Sequence, residues 1–297
     1  QVLGTGSQEF DLMLIDTIWP GVLGKHLVDL RQHIPKARIE SHFPPLIENL
    51  TDREGRLVAM PLFTDTGLLY YRRDLLNRYG FQPPQHWDAL EYIAKRILSQ
   101  EQDPQLTGFV WQGSPYEGLT CNALEWIDSY LGGTIVDKDG QITVNNPRAK
   151  QALEMAKGWL GRISPIEVLS YTEMESASRF RAGQAIFLRT WGEYWATIND
   201  TESPVHGLVG VVPIPRGTPD GKYSGTLGDM SLGISKYSRH IPETAALIAH
   251  LTDRPAQKHH AIQDSFAPTL LELYADPELL AKRGFMAAYQ SVLLNGV

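Results

Sequence analysis

A carboxylate, Asp65, stands in the short stretch Thr64-Asp65-Thr66-Gly67, between two apolar runs, Leu57 to Phe63 and Leu68 to Tyr71. Rich in leucine, aromatic and β-branched side chains, both runs read as strands. A charge pulled out of water needs a partner. Asp65 is therefore either placed for a polar ligand or a solvated turn residue, and the pattern leaves both readings open. Asp16 closes the apolar run Phe10 to Asp16. At the carboxyl end of a strand it either faces a ligand crevice or, with Thr17 as the alternative, caps the following helix. Tyr116 lies in the Gly/Pro loop Gln112 to Gly118, again after a strand, and loops at that end carry function more often than cores do. Trp191-Gly192-Glu193-Tyr194-Trp195 sets three aromatics around a glycine and an acid directly after the run Ala185 to Thr190. One of the three is expected in the core. Sugars offer C–H faces that stack on rings and hydroxyls that bond to acids, so this mixture suits a saccharide. Glu173 is a further candidate, read against a solvated helix acid, because the capping-box spacing of Thr172 and Glu175 leaves it over.

The elements that must hold these residues alternate between strand and helix patterns, which predicts an α/β fold. After the second apolar run comes a helix from Arg72 to Tyr79, closed by Gly80 as a left-handed cap with Phe81 as its hydrophobic clamp. Trp19 to Asp29 reads as a helix. Trp87 to Gln102 carries Leu90, Ile93, Ala94, Ile97 and Leu98 on one stripe, and Tyr116 to Tyr130 turns Leu119, Ala123, Trp126, Ile127 and Tyr130 inward. Asp139-Gly140 predicts a hairpin within Thr134 to Val144. Asn146-Pro147 supplies the cap and first residue of the next helix. Thr107 to Trp111 and Gly207 to Val212 read as strands, and Pro242 to Leu251 and Pro255 to Gln263 as proline-opened helices.

Composition narrows the function. At 297 residues the chain exceeds one ordinary core, so two domains are expected. A net charge of −7 (27 Lys+Arg against 34 Asp+Glu), without a dense basic block, excludes nucleic acid and anionic membrane as partners. The single cysteine, Cys121, cannot form an intrachain disulfide and reads as a buried, inert thiol. The histidines, His259-His260 included, lack metal-ligand spacing and read as surface residues. No cofactor motif appears: P-loop, GxSxG and dinucleotide fingerprints are all missing.

The runs MPLFTDTGLLYYRRDLLNRYG, PPQHWDAL, GFVWQGSPYEGLTCNALE, SPVHGLVG and SKYS together resemble the carbohydrate-binding proteins of ATP-binding-cassette importers, and within them the trehalose/maltose-binding branch. The similarity covers essentially the whole chain. It implies a two-lobed, type II-like periplasmic-binding-protein fold with lobes discontinuous in sequence. Residues 1–64 and 228–275 would form lobe one, residues 67–227 and 276–297 lobe two, with Asp65 and Gly228 at the hinge crossings. It implies ligand contacts from Asp16, Asp65 and Trp191, with the acids on one wall of a cleft and Trp191 and Tyr116 on the other. Two departures stand out: Glu193 replaces an aromatic, and Gly228-Asp229-Met230 replaces Gly-Gly-Trp. Asp229 and Met230 would then make a softer, more polar second subsite. Against the family's pattern the chain starts late and stops early, so it reads as part of a longer chain. The resemblance also implies a monomer, periplasmic or lipid-anchored outside the cytoplasm, that serves membrane permease subunits.

Two function classes follow. One is a binding protein that closes its lobes on a small glycoside or disaccharide of the trehalose, sucrose, maltose or glucosylglycerol type. The other is a glycoside hydrolase that uses cleft carboxylates. The resemblance favours the binder.

Overall fold

The computed structural model describes residues 3–137 and 139–293, the side chains of 288, 290 and 291 excepted. The chain divides into two compact units, each made of two stretches: unit 1 comprises Gln1–Asp65 and Gly228–Ala287, and unit 2 comprises Thr66–Leu227 and Ala288–Val297. Residues 276–287 thus belong with unit 1, whereas the sequence reading assigned everything after Ala275 to the other lobe. One side chain contributes to this. Asp276 caps the helix Pro277–Lys282 through the amides of Glu278 and Leu279 and also pairs with Arg254 at 2.7 Å and Lys258 at 2.9 Å. Both cations lie on the unit 1 helix Arg254–Asp264, so the carboxylate ties the two helices together.

Unit 1 holds strands β1 (Leu12–Asp16) and β6 (Leu227–Ile234), which pair antiparallel from Leu12 with Ile234 to Asp16 with Met230. Its core gathers Ile15, Leu30, Leu50, Val58, Ile234 and Ile248. The helix expected over Trp19 to Asp29 is shorter: Pro20–Leu23 is helical and Gly24–His26 continues as a 3-10 turn.

Unit 2 is built on the second half of β2 (Met60–Arg72), with β3 (Thr107–Val110), β4 (Ala185–Trp191) and β5 (Val209–Pro213). β2 pairs antiparallel with β4 on one side and with β5 on the other, and β3 runs parallel to β4. Helices Trp87–Glu101, Glu117–Ser129 and Pro147–Trp159 cover the sheet. Their core is aromatic: Trp159 lies 5.3 Å from both Trp87 and Phe109, and Trp111 meets Trp126 edge-on at 5.0 Å. Asn146 caps its helix as the sequence indicates, accepting from Arg148 and Ala149. Gly80 takes φ 72°, and the Phe81 amide closes the cap on the Leu76 carbonyl at 2.9 Å.

The stretch Thr64 to Gly67 is not a break between two strands. β2 is continuous over 13 residues and passes from unit 1 into unit 2. Threonine is at home in extended backbone, which lets the strand run through. Within unit 1 the Thr64 amide donates to the Ala267 carbonyl at 3.0 Å, and within unit 2 the Gly67 amide donates to the Thr226 carbonyl at 3.3 Å. Gly67 has no alternative, because a Cβ there would land on the Glu125 carboxylate.

Candidate functional site

The expected site residues fall into two groups, one in each unit. In unit 2, strand alternation puts Arg189 and Trp191 on the same face of β4. The Arg189 guanidinium lies against the Trp191 ring, 4.1 Å from its centroid. The Trp191 indole N–H donates to Glu173 Oε1 at 3.2 Å, and the Tyr116 hydroxyl donates to Glu173 Oε2 at 2.5 Å. One carboxylate therefore fixes both rings. This corrects the weaker expectation for Glu173: it begins the helix Glu173–Arg181 but is not a merely solvated acid, while Glu175 closes the capping box with Thr172 as predicted. The Tyr116 phenol is raised well above its ordinary range by burial first and by Glu173 second. It remains a neutral donor at physiological pH.

None of the three aromatics Trp191, Tyr194 and Trp195 at and after the end of β4 is fully buried, so the expectation that one of them is core fails. Instead Trp195 leans on Tyr70, whose ring centroid is 6.5 Å away. The Tyr70 hydroxyl in turn donates to the carbonyls of Trp191 at 3.0 Å and Gly192 at 3.1 Å. Gly192 is required because a Cβ would strike the Tyr289 hydroxyl. Glu193 sits half-buried at the start of the helix Tyr194–Ile198. The Tyr194 phenol is pushed up to about 12, by burial first and then by the charges of Glu173 and Glu193. Glu193 thus adds negative potential beside the Glu173 cluster.

Beneath the rings lies a network that sequence reasoning missed. Arg189 and Glu125 are both fully buried and form a two-pronged ion pair, with Nε to Oε2 at 2.8 Å and Nη2 bonded to Oε1. Arg189 Nη1 donates to Gln112 Oε1 at 3.1 Å, and Gln112 Nε2 donates to Ser176 Oγ at 2.8 Å and to the Arg189 carbonyl at 2.9 Å. Burial alone would make the guanidinium release its proton more easily, but the Glu125 carboxylate outweighs it and holds Arg189 charged. Glu125 Oε1 also accepts the Thr226 amide at 3.1 Å. The available signal was a charge inside each of two largely apolar elements, Arg189 in AIFLRT and Glu125 beside Trp126 and Ile127, although Glu125 lies off the stripe read as inward, on the buried face it shares with Cys121 and Asn122. Cys121, on that same helix, is pushed up to about 12 chiefly by burial and is inert as expected.

In unit 1, Asp16 accepts the Ile18 amide at 3.2 Å, holding a turn rather than capping a helix. Its pairing with Met230 places these two side chains on one face of the β1–β6 ladder. Asp229, one residue before, projects to the opposite face with Ser231. It is 6% exposed and takes the Ser231 hydroxyl at 2.6 Å. Asp229 and Met230 therefore do not share the single subsite expected of them. Burial raises the Asp229 pKa, against hydrogen bonds from Ser231 and Thr17, and the Asp16 charge raises it further. Asp65 is buried, and the Tyr274 phenol, itself raised by burial, also senses its charge. Thr64, beside Asp65, donates to the Gly228 carbonyl at 3.2 Å, so the two crossing segments of unit 1 are bonded to each other. Among the described residues no group of His, Cys, Asp or Glu could hold a metal ion, and no helix is long and apolar enough to cross a membrane.

Residues 4–287 match the family model of the bacterial extracellular solute-binding proteins. A Deinococcus radiodurans protein named "Probable ABC transporter-binding protein" is 43% identical over 300 residues, which cover 100% of this chain and 71% of that protein. The structure of maltose-bound MalE3 from T. maritima superposes with a TM-score of 0.93 at 36% identity, covering 100% of this chain and 75% of that one. A ribitol complex of a solute-binding protein from Agrobacterium radiobacter K84 shares the fold, with a TM-score of 0.87 at 23% identity over 100% of this chain and 75% of that one. The Deinococcus and Agrobacterium proteins are named as binding proteins of ABC transporters.

Proposed function

This chain belongs to the bacterial extracellular solute-binding proteins, and on that premise we propose that it captures a small glycoside or disaccharide by hinge closure and hands it to the permease of an ABC importer. The observation that carries the sugar reading is Glu173, whose two oxygens hold the Tyr116 hydroxyl and the Trp191 indole. A ring held by a carboxylate offers an apolar face beside hydrogen-bonding atoms, which matches the two-sided surface of a pyranose. Trp191, Tyr116, Glu173 and Glu193 are the proposed ligand residues of unit 2. Asp16, Asp65 and Met230 are those of unit 1, with Asp229 holding its strand from behind. The segments around Asp65 and Gly228 would absorb the backbone change of closure. The chain would work as a monomer outside the cytoplasmic membrane, either periplasmic or lipid-anchored. The glycoside hydrolase reading is set aside, since the relatives carry solutes for transporters.

Calorimetry with maltose, trehalose, sucrose, glucosylglycerol and ribitol tests the proposal. The expected result is saturable binding of at least one glycoside, recovered intact, that weakens at least tenfold in Trp191→Ala. Binding of ribitol alone would replace the glycoside reading by a polyol one, and release of monosaccharide would overturn the binder.

A further inference from the structure

We propose that the buried Arg189–Glu125 pair is a positioning device, which presents the Trp191 indole at a fixed angle and ties it to the segments by which the chain enters and leaves unit 2. The proposal rests on the sugar-binding reading only in its affinity arm.

A tryptophan at the end of an edge-free strand could rotate about two side-chain bonds, yet Trp191 is held at two points. Its N–H is fixed by Glu173, and one face lies on the Arg189 guanidinium. With that face occupied, a stacking partner can use only the other. The guanidinium itself has no freedom: three of its nitrogens are bonded, two to Glu125 and one to Gln112. Lysine could supply the charge but neither the plane nor the fork. The pair is therefore hard to explain as a source of stability alone, since a well-packed apolar substitute for a buried ion pair is often no less stable.

The same carboxylate reaches the crossing segments. Glu125 Oε1 accepts from Arg189 and from the amide of Thr226, which lies two residues before the chain passes into unit 1. Thr226 in turn accepts the Gly67 amide, and Gly67 is the register partner of Trp191 on the neighbouring strand. Gly67 has no room for a Cβ against Glu125 and Arg189. Gly67 and Thr226 thus meet the Glu125 carboxylate directly, and Trp191 meets it through Arg189. A shift of either crossing segment and a shift of the ring are therefore coupled through this pair as well as through the strand ladder.

The test uses the variant Glu125→Gln/Arg189→Met, in which both charges go, the volumes stay close and the acceptor for Thr226 remains. The first readout needs no ligand: the indole N–H signal of Trp191 in a 15N–1H correlation spectrum, assigned with Trp191→Phe. We expect this signal to shift and its exchange with water to quicken several-fold, while the signals of buried Trp87 and Trp159 stay in place. An unmoved Trp191 signal overturns the positioning role. In the second arm, maltose affinity should fall about three- to tenfold in the double variant but not fall again when Trp191→Ala is already present. An equal loss in both backgrounds means a general structural role and overturns the proposal. Absence of binding by the native protein to every sugar of the panel defeats the sugar reading alone, with the indole readout still deciding the positioning role. Gly67→Ala tests the link to the crossing segment. It should move the Trp191 signal in the same way, and a folded Gly67→Ala with an unchanged Trp191 signal would sever that link.

Discussion

Unit 1 and unit 2 both carry carboxylates close to the points where the chain crosses between them, and they restrain these acids by different means. In unit 1 the partners of Asp229 are the hydroxyls of Ser231 and Thr17, with the negative Asp16 nearby, and its pKa rises. In unit 2 Glu125 is deeper still, but a guanidinium neutralises it from two directions. Hydroxyl partners leave the Asp229 carboxyl raised, whereas a two-pronged bond to arginine makes of a carboxylate a rigid anchor. The difference is one of role: in unit 1 the buried Asp229 is held by hydroxyls, and in unit 2 Glu173 and the Arg189–Glu125 pair hold rings in place.

The harshest way to break this contrast is to remove one half of the unit 2 pair. Glu125→Ala leaves a buried guanidinium unpaired and should cost about 3–5 kcal/mol of unfolding free energy. Asp229→Asn, which keeps its hydroxyl partners, should cost far less, and urea titration of both variants checks the ratio. Next in size is acid. His42, against the sequence expectation of surface histidines, is buried in unit 1 and bonded to the Thr269 hydroxyl at 2.7 Å, and burial lowers it from 6.5 to about 4. A lowered histidine means the native state binds fewer protons than the unfolded one, so this contribution is complete above 6.5 and drains away as pH falls towards about 4. The full effect is on the order of 3 kcal/mol. Hydrogen exchange at pH 7 and pH 4.5 should show β1 and β6 losing protection before β4, and His42→Gln should remove the difference.

Smaller effects sharpen the comparison at the ligand. Asp65→Ala should weaken glycoside binding about ten- to a hundredfold, matching the roughly 1.5–3 kcal/mol of a hydrogen bond to a charged group. Calorimetry reads this directly, and unaltered affinity would remove Asp65 from the site. Met230→Trp is the gentlest change. Met230 shares a face with Asp16 rather than with Asp229, so an added ring there should shift preference towards pyranose disaccharides by about 0.5–1.5 kcal/mol. An unchanged ranking of sucrose, glucosylglycerol, trehalose and maltose would mean that position 230 does not meet the ligand.

What the sequence could disclose was local. The capping box at Thr172 and Glu175, the Asn146 cap and the Gly80 closure each depend on residues within a turn of one another, and each formed as read. The α/β alternation disclosed the fold class for the same reason. What stayed hidden depends on distant partners. Arg189 and Glu125 are 64 residues apart, and Tyr116 and Glu173 are 57 apart. Nothing in the neighbourhood of Glu173 distinguishes it from a solvated helix acid until Tyr116 and Trp191 arrive. The membership of residues 276–287 was illegible likewise, because their partners, Arg254 and Lys258 for Asp276 among them, lie about twenty residues away on another helix. The false break at Thr64 to Gly67 had a different cause: Thr, Asp and Gly together mimic a turn, although Gly67 is a glycine here because the strand passes over the buried Glu125 carboxylate.

The guanidinium under Trp191 has a consequence for anyone altering what this protein carries. A mutational library that varies position 191 alone would test each new side chain on a platform cut for an indole, and useful smaller or larger replacements would be scored as failures. If the positioning role holds, positions 125, 189 and 191 behave as one block whose substitutions depend on one another. Recombination that exchanges the block whole is expected to yield altered selectivity where single-site scanning yields only loss.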